Sequence, residues 1–149
     1  MKIWFDMDGT IADLYGVENW LDDLQNCRTR PYDVARPMMN FSHLARLLNQ
    51  VQRKGYKIGI ISWTSKGGTN IYNDRIAMAK VAWLHKHLPS VHWDVVKIVK
   101  YGTNKRKATG GGILFDDEER NRENWGFGAY TPDKITEILR GLLRRPQPR

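Results

Sequence analysis

Two carboxylates stand two residues apart near the start of the chain, at the end of a short apolar run. Residues 5–10 read FDMDGT, so Asp6 and Asp8 are separated by one methionine. In a β-strand, residues i and i+2 point to the same face about 7 Å apart, so both carboxylates could reach one small reacting group. This spacing suits phosphoryl transfer. A strand that ends in an ordinary Asp-Gly turn is the simpler alternative.

The two residues that follow are suited to a change of chain direction. Gly9 has no Cβ and tolerates a sharp backbone turn. Thr10 offers a hydroxyl of the kind that caps the start of a helix. We therefore expect the chain to turn at Gly9 and a helix to begin at Thr10.

The rest of the chain alternates between strand-like and helix-like segments. Continuous apolar runs predict five strands, at residues 2–6, 57–61, 92–99, 112–115 and 128–130. Apolar residues at helical spacing predict helices at 41–54 and 74–88, and a last helix is expected after Pro132. The predicted apolar face of the helix at 74–88 consists of Ala77, Val81, Leu84 and Leu88. This alternation predicts an α/β fold with a mostly parallel five-stranded sheet covered on both faces.

Polar side chains follow three of the predicted strands at their carboxyl ends. Asp6 and Asp8 follow the first strand, Ser62 follows the second, and Asp116 and Asp117 follow the fourth. Parallel sheets bind ligands at this edge. We therefore expect these residues to converge on one crevice, which unrelated surface turns would not do.

Composition sets broad limits on the class of protein. A chain of 149 residues is long enough for one domain, and we predict a single domain over 1–149. Residues 14–40 interrupt the alternation and form an insertion too small to fold alone. The sequence has no apolar run of the roughly 20 residues that a membrane span needs, and no apolar leader, so the cytoplasm is the expected location. The single cysteine, Cys27, can form neither an internal disulfide nor a cysteine zinc site.

Positive charge is concentrated in two parts of the chain. The net charge is +8 and the isoelectric point is near 9.7, which favours attraction of polyanions and anionic substrates. One basic segment lies at 97–107, and the other runs from Arg140 to Arg149. A solvated helix end and a loose tail would explain the second segment without any ligand.

In combination, these residues resemble the four motifs of the haloacid dehalogenase (HAD) superfamily. The motifs are DMDGT after a strand, a strand-end serine, a later lysine and a strand-end Asp-Asp pair, and they occur in order along nearly the whole chain. The resemblance implies a Rossmannoid three-layer fold with a small cap, here residues 14–40. It also implies Mg²⁺ dependence and phosphatase chemistry through an aspartyl-phosphate.

The resemblance implies a role for each residue of the first motif. Asp6 would be the nucleophile that attacks phosphorus, and Asp8 would protonate the leaving oxygen and then activate water. A carboxylate nucleophile divides the displacement into two easier steps, and a paired acid and base typically contributes about 10²–10⁴-fold. Thr10 would position Asp8 or cap the next helix, next to the substrate.

The other three motifs would hold the phosphoryl group and the metal. Ser62 would donate to a phosphoryl oxygen, with Thr64 or Ser65 in its place if the strand ends later. Lys105 is the expected cation of the third motif, and Lys100 and Lys107 are its competitors. The expected Mg²⁺ ligands are Asp6, the backbone carbonyl of Asp8 and Asp116, and Asp117 would be a further ligand or would orient the others. The fourth motif departs from its commonest form, since Phe115 stands where a glycine is usual.

The substrate class is inferred from the small cap, the positive charge and one aromatic residue. Trp63 follows Ser62 directly and could stack on a base or sugar. A small cap leaves the site open, which with the basic charge favours a phosphate on a nucleotide or a nucleic-acid end. Deoxyribonucleotidases and the phosphatase domain of polynucleotide kinase-phosphatase are the similar proteins. The alternatives are a phosphatase for sugar phosphates or other small metabolites, and a non-catalytic module that binds nucleic acid or protein. The sequence leaves the oligomeric state open.

Overall fold

The computed structural model of the protein describes residues 1–146, so Arg149 of the basic tail lies outside the described residues. Five parallel strands form one sheet, and they correspond to the five predicted strands: β1 (Lys2–Phe5), β4 (Lys57–Trp63), β5 (Val95–Val99), β6 (Ile113–Phe115) and β7 (Ala129–Tyr130). Their order across the sheet is β5-β4-β1-β6-β7, which places β1 at the centre. The structure thus confirms the predicted parallel α/β sheet.

Helices cover both faces of this sheet. Alternate residues of a strand point to opposite faces, and Ile3 and Phe5 of β1 pack in a different cluster from Trp4. The cluster around Ile3 and Phe5 contains side chains of three helices: α3 (Phe41–Arg53), α4 (Asn70–His87) and α7 (Ile135–Arg144). The cluster around Trp4 contains side chains of two shorter helices: α5 (Lys105–Thr109) and α6 (Glu119–Trp125). The fold therefore has three layers.

The segment 14–40 packs against α4. It contains two short helices and, with the residues just before it, an antiparallel strand pair: α1 (Trp20–Gln25), α2 (Arg30–Val34), β2 (Ala12–Asp13) and β3 (Arg36–Pro37). A separate apolar cluster joins this segment to α4 and consists of Leu14, Tyr32, Tyr72, Ile76 and Ala79. The Tyr72 hydroxyl donates to the Arg28 carbonyl at 2.8 Å, and the Trp83 indole donates to the Ala35 carbonyl at 2.8 Å. These two hydrogen bonds attach the segment at both ends of α2.

Three expectations about local structure were wrong. No helix begins at Thr10, because the chain forms a turn there and pairs as β2 before the first helix at Trp20. Strand β4 ends at Trp63, two residues later than expected. The predicted face of α4 is correct at Leu84 and at Leu88, but Val81 is exposed, and the buried face is formed by residues 72, 76, 79, 80, 83 and 84. Counting only aliphatic residues misplaced that face, since Tyr72 and Trp83 are its largest members.

Within residues 1–146, none of the helices combines the length and the apolar character that crossing a bilayer requires.

Candidate functional site

The carboxyl ends of β1 and β6 bring three of the expected acidic residues together. The Asp6 amide donates to the Phe115 carbonyl at 2.9 Å, so the first residue after β1 lies beside the end of β6. Carboxylate oxygens of Asp6, Asp116 and Asp117 all lie within 4.8 Å of one another. Asp6 and Asp116 are buried, whereas Asp117 is exposed. The predicted convergence of strand ends is therefore present for these three residues.

A buried lysine neutralises part of this negative charge. The Lys105 ammonium lies 2.9 Å from Asp6 Oδ1 and 2.6 Å from Asp116 Oδ2, and its side chain is 2 % exposed. Lys105 begins α5, where the Asn104 side chain caps the helix by accepting from the Lys107 amide. Burial alone would lower the pKa of Lys105, but the two carboxylates outweigh it and raise that pKa. Of the three candidate lysines, the geometry selects Lys105, since Lys100 and Lys107 are exposed.

The turn after β1 contacts the carboxylates through Thr10 and Gly9. The Thr10 hydroxyl is fully buried and lies 3.2 Å from Asp6 Oδ2 and 3.3 Å from Asp117 Oδ1, and it accepts from the Asp117 amide. Gly9 has a positive φ of 78°, and a Cβ there would collide with the Asp117 carboxylate. Thr10 thus contacts the acidic group directly, and its expected contact with substrate stays a prediction.

The acidic group carries more negative charge than Lys105 compensates. Burial, reinforced by the charge of Asp6, raises the pKa of Asp116 to about 6. Although Asp117 is exposed as a residue, partial burial of its carboxylate, reinforced by the charge of Asp6, raises its pKa to about 7. Asn121 donates to Asp116 Oδ2 at 3.1 Å and orients that carboxylate. Three clustered carboxylates, paired with a single ammonium within residues 1–146, fit a hard divalent cation such as Mg²⁺, which prefers oxygen ligands.

Asp8 is held by a second buried lysine that sequence reasoning missed. The Lys80 ammonium, from α4, lies 2.8 Å from Asp8 Oδ2, and the Lys80 side chain is 1 % exposed. Burial raises the pKa of Asp8, and the charge of Lys80 only partly offsets this effect. A lysine on an amphipathic helix is normally assigned to the solvent side. The only pattern that could have found Lys80 is its spacing from Tyr72, Ile76 and Trp83 on the buried face.

The end of β4 presents two hydroxyls that differ in their partners. Ser62 is buried and its Oγ accepts from the Lys80 ammonium at 2.7 Å. The Thr64 side chain is 8 % exposed, and its hydroxyl has no hydrogen-bond partner among the described residues. Thr64 lines the cavity above the carboxylates, together with Asp6, Asp8 and Lys105, whereas Ser62 does not. Because β4 ends at Trp63, the first residue after the strand is Thr64, which the sequence analysis offered as an alternative to Ser62.

The cavity over these residues has a volume of about 540 Å³, and aromatic side chains form part of its wall. Trp63 and Tyr101 pack against each other with ring centroids 4.8 Å apart, and Tyr15 and Trp20 of the inserted segment pack at 5.0 Å. All four line the cavity. Three cations lie over the rings of the first pair: Arg120 and Lys105 are 5.0 Å and 5.3 Å from the Trp63 ring, and Lys66 is 6.0 Å from the Tyr101 ring. The cavity can therefore accept a flat or apolar group beside an anionic one.

Comparison with known proteins adds evidence about the fold. No protein-family model matches the chain, and a search of curated proteins returns no match. Among solved structures, the chain is similar to D,D-heptose 1,7-bisphosphate phosphatase from Burkholderia thailandensis, with a TM-score of 0.55 and 12 % sequence identity. The similarity covers 97 % of this chain and 99 % of the other. This likeness confirms the predicted fold class, an α/β fold of the HAD-like Rossmannoid type.

Proposed function

We propose that the protein is a Mg²⁺-dependent phosphomonoesterase that acts through an aspartyl-phosphate on Asp6. The observation that carries this proposal is the grouping of Asp6, Asp116, Asp117 and Lys105, of which Asp6, Asp117 and Lys105 line one cavity and Asp116 lies buried beside them. A phosphoryl group needs an in-line nucleophile and compensation of its charge. Asp6 supplies the first, and Lys105 supplies part of the second.

Mg²⁺ would be held by Asp6, Asp116, Asp117 and the backbone carbonyl of Asp8, and when bound it would neutralise charge between the carboxylates and the phosphoryl oxygens. The remaining chemistry belongs to the chain. A carboxylate oxygen of Asp6 attacks phosphorus as the bond to the leaving oxygen breaks, and Asp8 gives its proton to that oxygen. Water then attacks the phosphorus, Asp8 takes a proton from it, and the bond between Asp6 and phosphorus breaks. A raised pKa of Asp8 favours the protonated form that the first step needs.

The phosphoryl group would be held by Lys105 and by the Thr64 hydroxyl. The unpartnered Thr64 hydroxyl supports this assignment, because a buried donor without a partner costs about 1–3 kcal/mol unless a ligand satisfies it. Ser62, the first choice from sequence, is 1 % exposed and does not line the cavity, so its hydroxyl does not face a ligand there. We therefore assign phosphoryl contact to Thr64 and a supporting role to Ser62.

The proposed substrate is a phosphate on a nucleotide or at a nucleic-acid end. The aromatic pair of Trp63 and Tyr101 offers a stacking surface, and Lys66 and Arg120 lie over it. Stacking of a base on an aromatic side chain contributes about 1–3 kcal/mol, and cations at the rim would attract further phosphates of an oligonucleotide. A sugar phosphate is the second candidate, favoured by the structural likeness to D,D-heptose 1,7-bisphosphate phosphatase.

The test is phosphate release by the wild type, by Asp6→Asn and by a control, Asp74→Asn, whose side chain is exposed on α4. The panel contains deoxynucleotides, sugar phosphates and 5′- or 3′-phosphorylated oligonucleotides, each with Mg²⁺ or with chelator. We expect Mg²⁺-dependent release that Asp6→Asn abolishes and Asp74→Asn retains. Borohydride treatment during turnover should convert Asp6 to homoserine, which peptide mass spectrometry detects.

The same panel separates the candidate functions. Preference for nucleotides or oligonucleotides supports the proposed substrate, and preference for sugar phosphates supports the second candidate. Release that survives Asp6→Asn would refute the aspartyl-phosphate. A wild type with no turnover on any member, combined with salt-sensitive binding of oligonucleotides, would favour a non-catalytic binding module instead.

A further inference from the structure

The Lys80 ammonium lies wholly inside the protein, and each of its contacts is to the site. It donates to Asp8 Oδ2 at 2.8 Å, to Ser62 Oγ at 2.7 Å and to the Trp63 carbonyl at 2.7 Å. A lysine ammonium has three hydrogens, so these three acceptors satisfy it completely. The ammonium also lies 5.2 Å from the ring centroid of Tyr32, a residue of the inserted segment that lines the cavity.

A lysine is a costly way to fill this position. Transfer of an ammonium from water to the interior costs several kcal/mol, which its partners must offset. An apolar side chain such as methionine would fill the same space without that cost. Packing of α4 on the sheet therefore does not explain why a cation occupies this point of the buried face.

The contacts explain it, because this one ammonium hydrogen-bonds both to Asp8 and to the end of β4. One oxygen of Asp8 is fixed by Lys80, and the other, Oδ1, accepts no hydrogen bond from the described residues. The Trp63 carbonyl, held by the same ammonium, immediately precedes Thr64. One charged group thus sets the orientation of Asp8 relative to the end of β4.

We propose that Lys80 is a positioning residue for proton transfer: it holds Asp8 so that the free carboxylate oxygen faces the oxygen that leaves from phosphorus. This inference rests on the proposed phosphomonoesterase function. It adds to that function a residue from α4, a helix that contributes none of the acidic side chains. Lys80 itself touches neither substrate nor metal in this role, and acts through Asp8.

The test uses substrates that differ in their need for a proton. An alkyl phosphate, such as the best nucleoside monophosphate of the panel, requires protonation of its leaving oxygen, whereas 2,4-dinitrophenyl phosphate does not. The value of kcat/KM reports the steps up to formation of the aspartyl-phosphate. It is measured for the wild type, Lys80→Met, Lys80→Arg and a control, Lys86→Met, which removes an exposed lysine of the same helix. Circular dichroism and thermal unfolding establish that each variant is folded.

We expect Lys80→Met to lose about 10²-fold or more in kcat/KM on the alkyl phosphate, the usual contribution of a general acid. Its loss on the dinitrophenyl ester should be at least tenfold smaller. Lys80→Arg, which keeps a positive donor, should recover part of the alkyl activity, and Lys86→Met should match the wild type. If Lys80→Met does not fold, the same two substrates are compared in Lys80→Arg, where a selective loss on the alkyl ester supports the inference.

Equal losses on both substrates, or no loss on either, would overturn the inference, because a merely structural lysine does not distinguish leaving groups. These outcomes differ from failure of the proposed function. That failure appears as a wild type without turnover, or as full turnover in Asp6→Asn, and it would remove the basis of the inference as well.

Discussion

Replacement of Lys105 by methionine should destabilise the metal-free protein strongly. The ammonium lies 2.9 Å from Asp6 and 2.6 Å from Asp116, and the side chain of Asp116 is fully buried. Methionine keeps most of the volume but leaves these two carboxylates without their shared cation. Removal of one partner of a buried ion pair costs about 3–5 kcal/mol. For a chain of this length each kcal/mol lowers Tm by about 2–4 °C, so Tm should fall by about 6–20 °C.

The assay is thermal and urea unfolding of Lys105→Met in chelator at pH 7.5, beside Lys107→Met as the control. Lys107 lies on the same helix, is exposed, and contributes only its backbone amide to the Asn104 cap. The penalty should shrink at pH 5.5, because carboxylates that have lost their cation become neutral by binding protons. A Lys105→Met protein within 1 kcal/mol of the wild type at pH 7.5, or a penalty independent of pH, would refute the reasoning.

Three further predictions concern the metal, the substrate and the inserted segment. In chelator, the raised pKa values of Asp116 and Asp117, about 6 and about 7, mean that the folded state binds more protons than the unfolded state from about pH 4 to 7. Tm should therefore fall as pH rises through this range. Saturating Mg²⁺ should raise Tm more at pH 7.5 than at pH 5.5, and an equal rise in Tm at both pH values would contradict the prediction. Trp63→Leu removes a stacking surface, so KM for nucleotides should rise about tenfold. KM for alkyl phosphates that carry no aromatic ring should stay nearly unchanged. Tyr72→Phe removes the hydrogen bond to the Arg28 carbonyl and should cost about 1 kcal/mol in urea unfolding, with faster proteolysis within residues 14–40; unchanged cleavage would show that the bond does not hold the segment.

The sequence was sufficient for the sheet and for the acidic group. Apolar runs identified all five parallel strands, most clearly β1, β4 and β6, because a strand buried on both faces needs apolar residues throughout. Carboxylates that follow such strands must then converge, since the strands are parallel and neighbouring. Asp6, Asp116 and Asp117 lie together in the structure for this reason.

The sequence was not sufficient where tertiary packing overrides local preference. Lysine is usually a surface residue, but Lys80 is buried because its ammonium pairs with Asp8 and Ser62. Helix α4 therefore has a mixed apolar and charged face, which an aliphatic pattern cannot phase correctly. The turn at Thr10 likewise depends on a distant partner, since its hydroxyl bonds with Asp117.

The apolar cluster that joins residues 14–40 to α4 is distinct from the two clusters that pack against the sheet. Leu14 and Tyr32 of that cluster also line the cavity, whereas the acidic residues are carried by strand ends. Ala35 of the insertion belongs to the cluster of Ile3 and Phe5, but substitutions at Leu14 and Tyr32 can reshape one cavity wall without touching that cluster. The insertion is accordingly the natural place for a directed-evolution library aimed at new substrates, and the place where diverging copies of this chain would be expected to differ first.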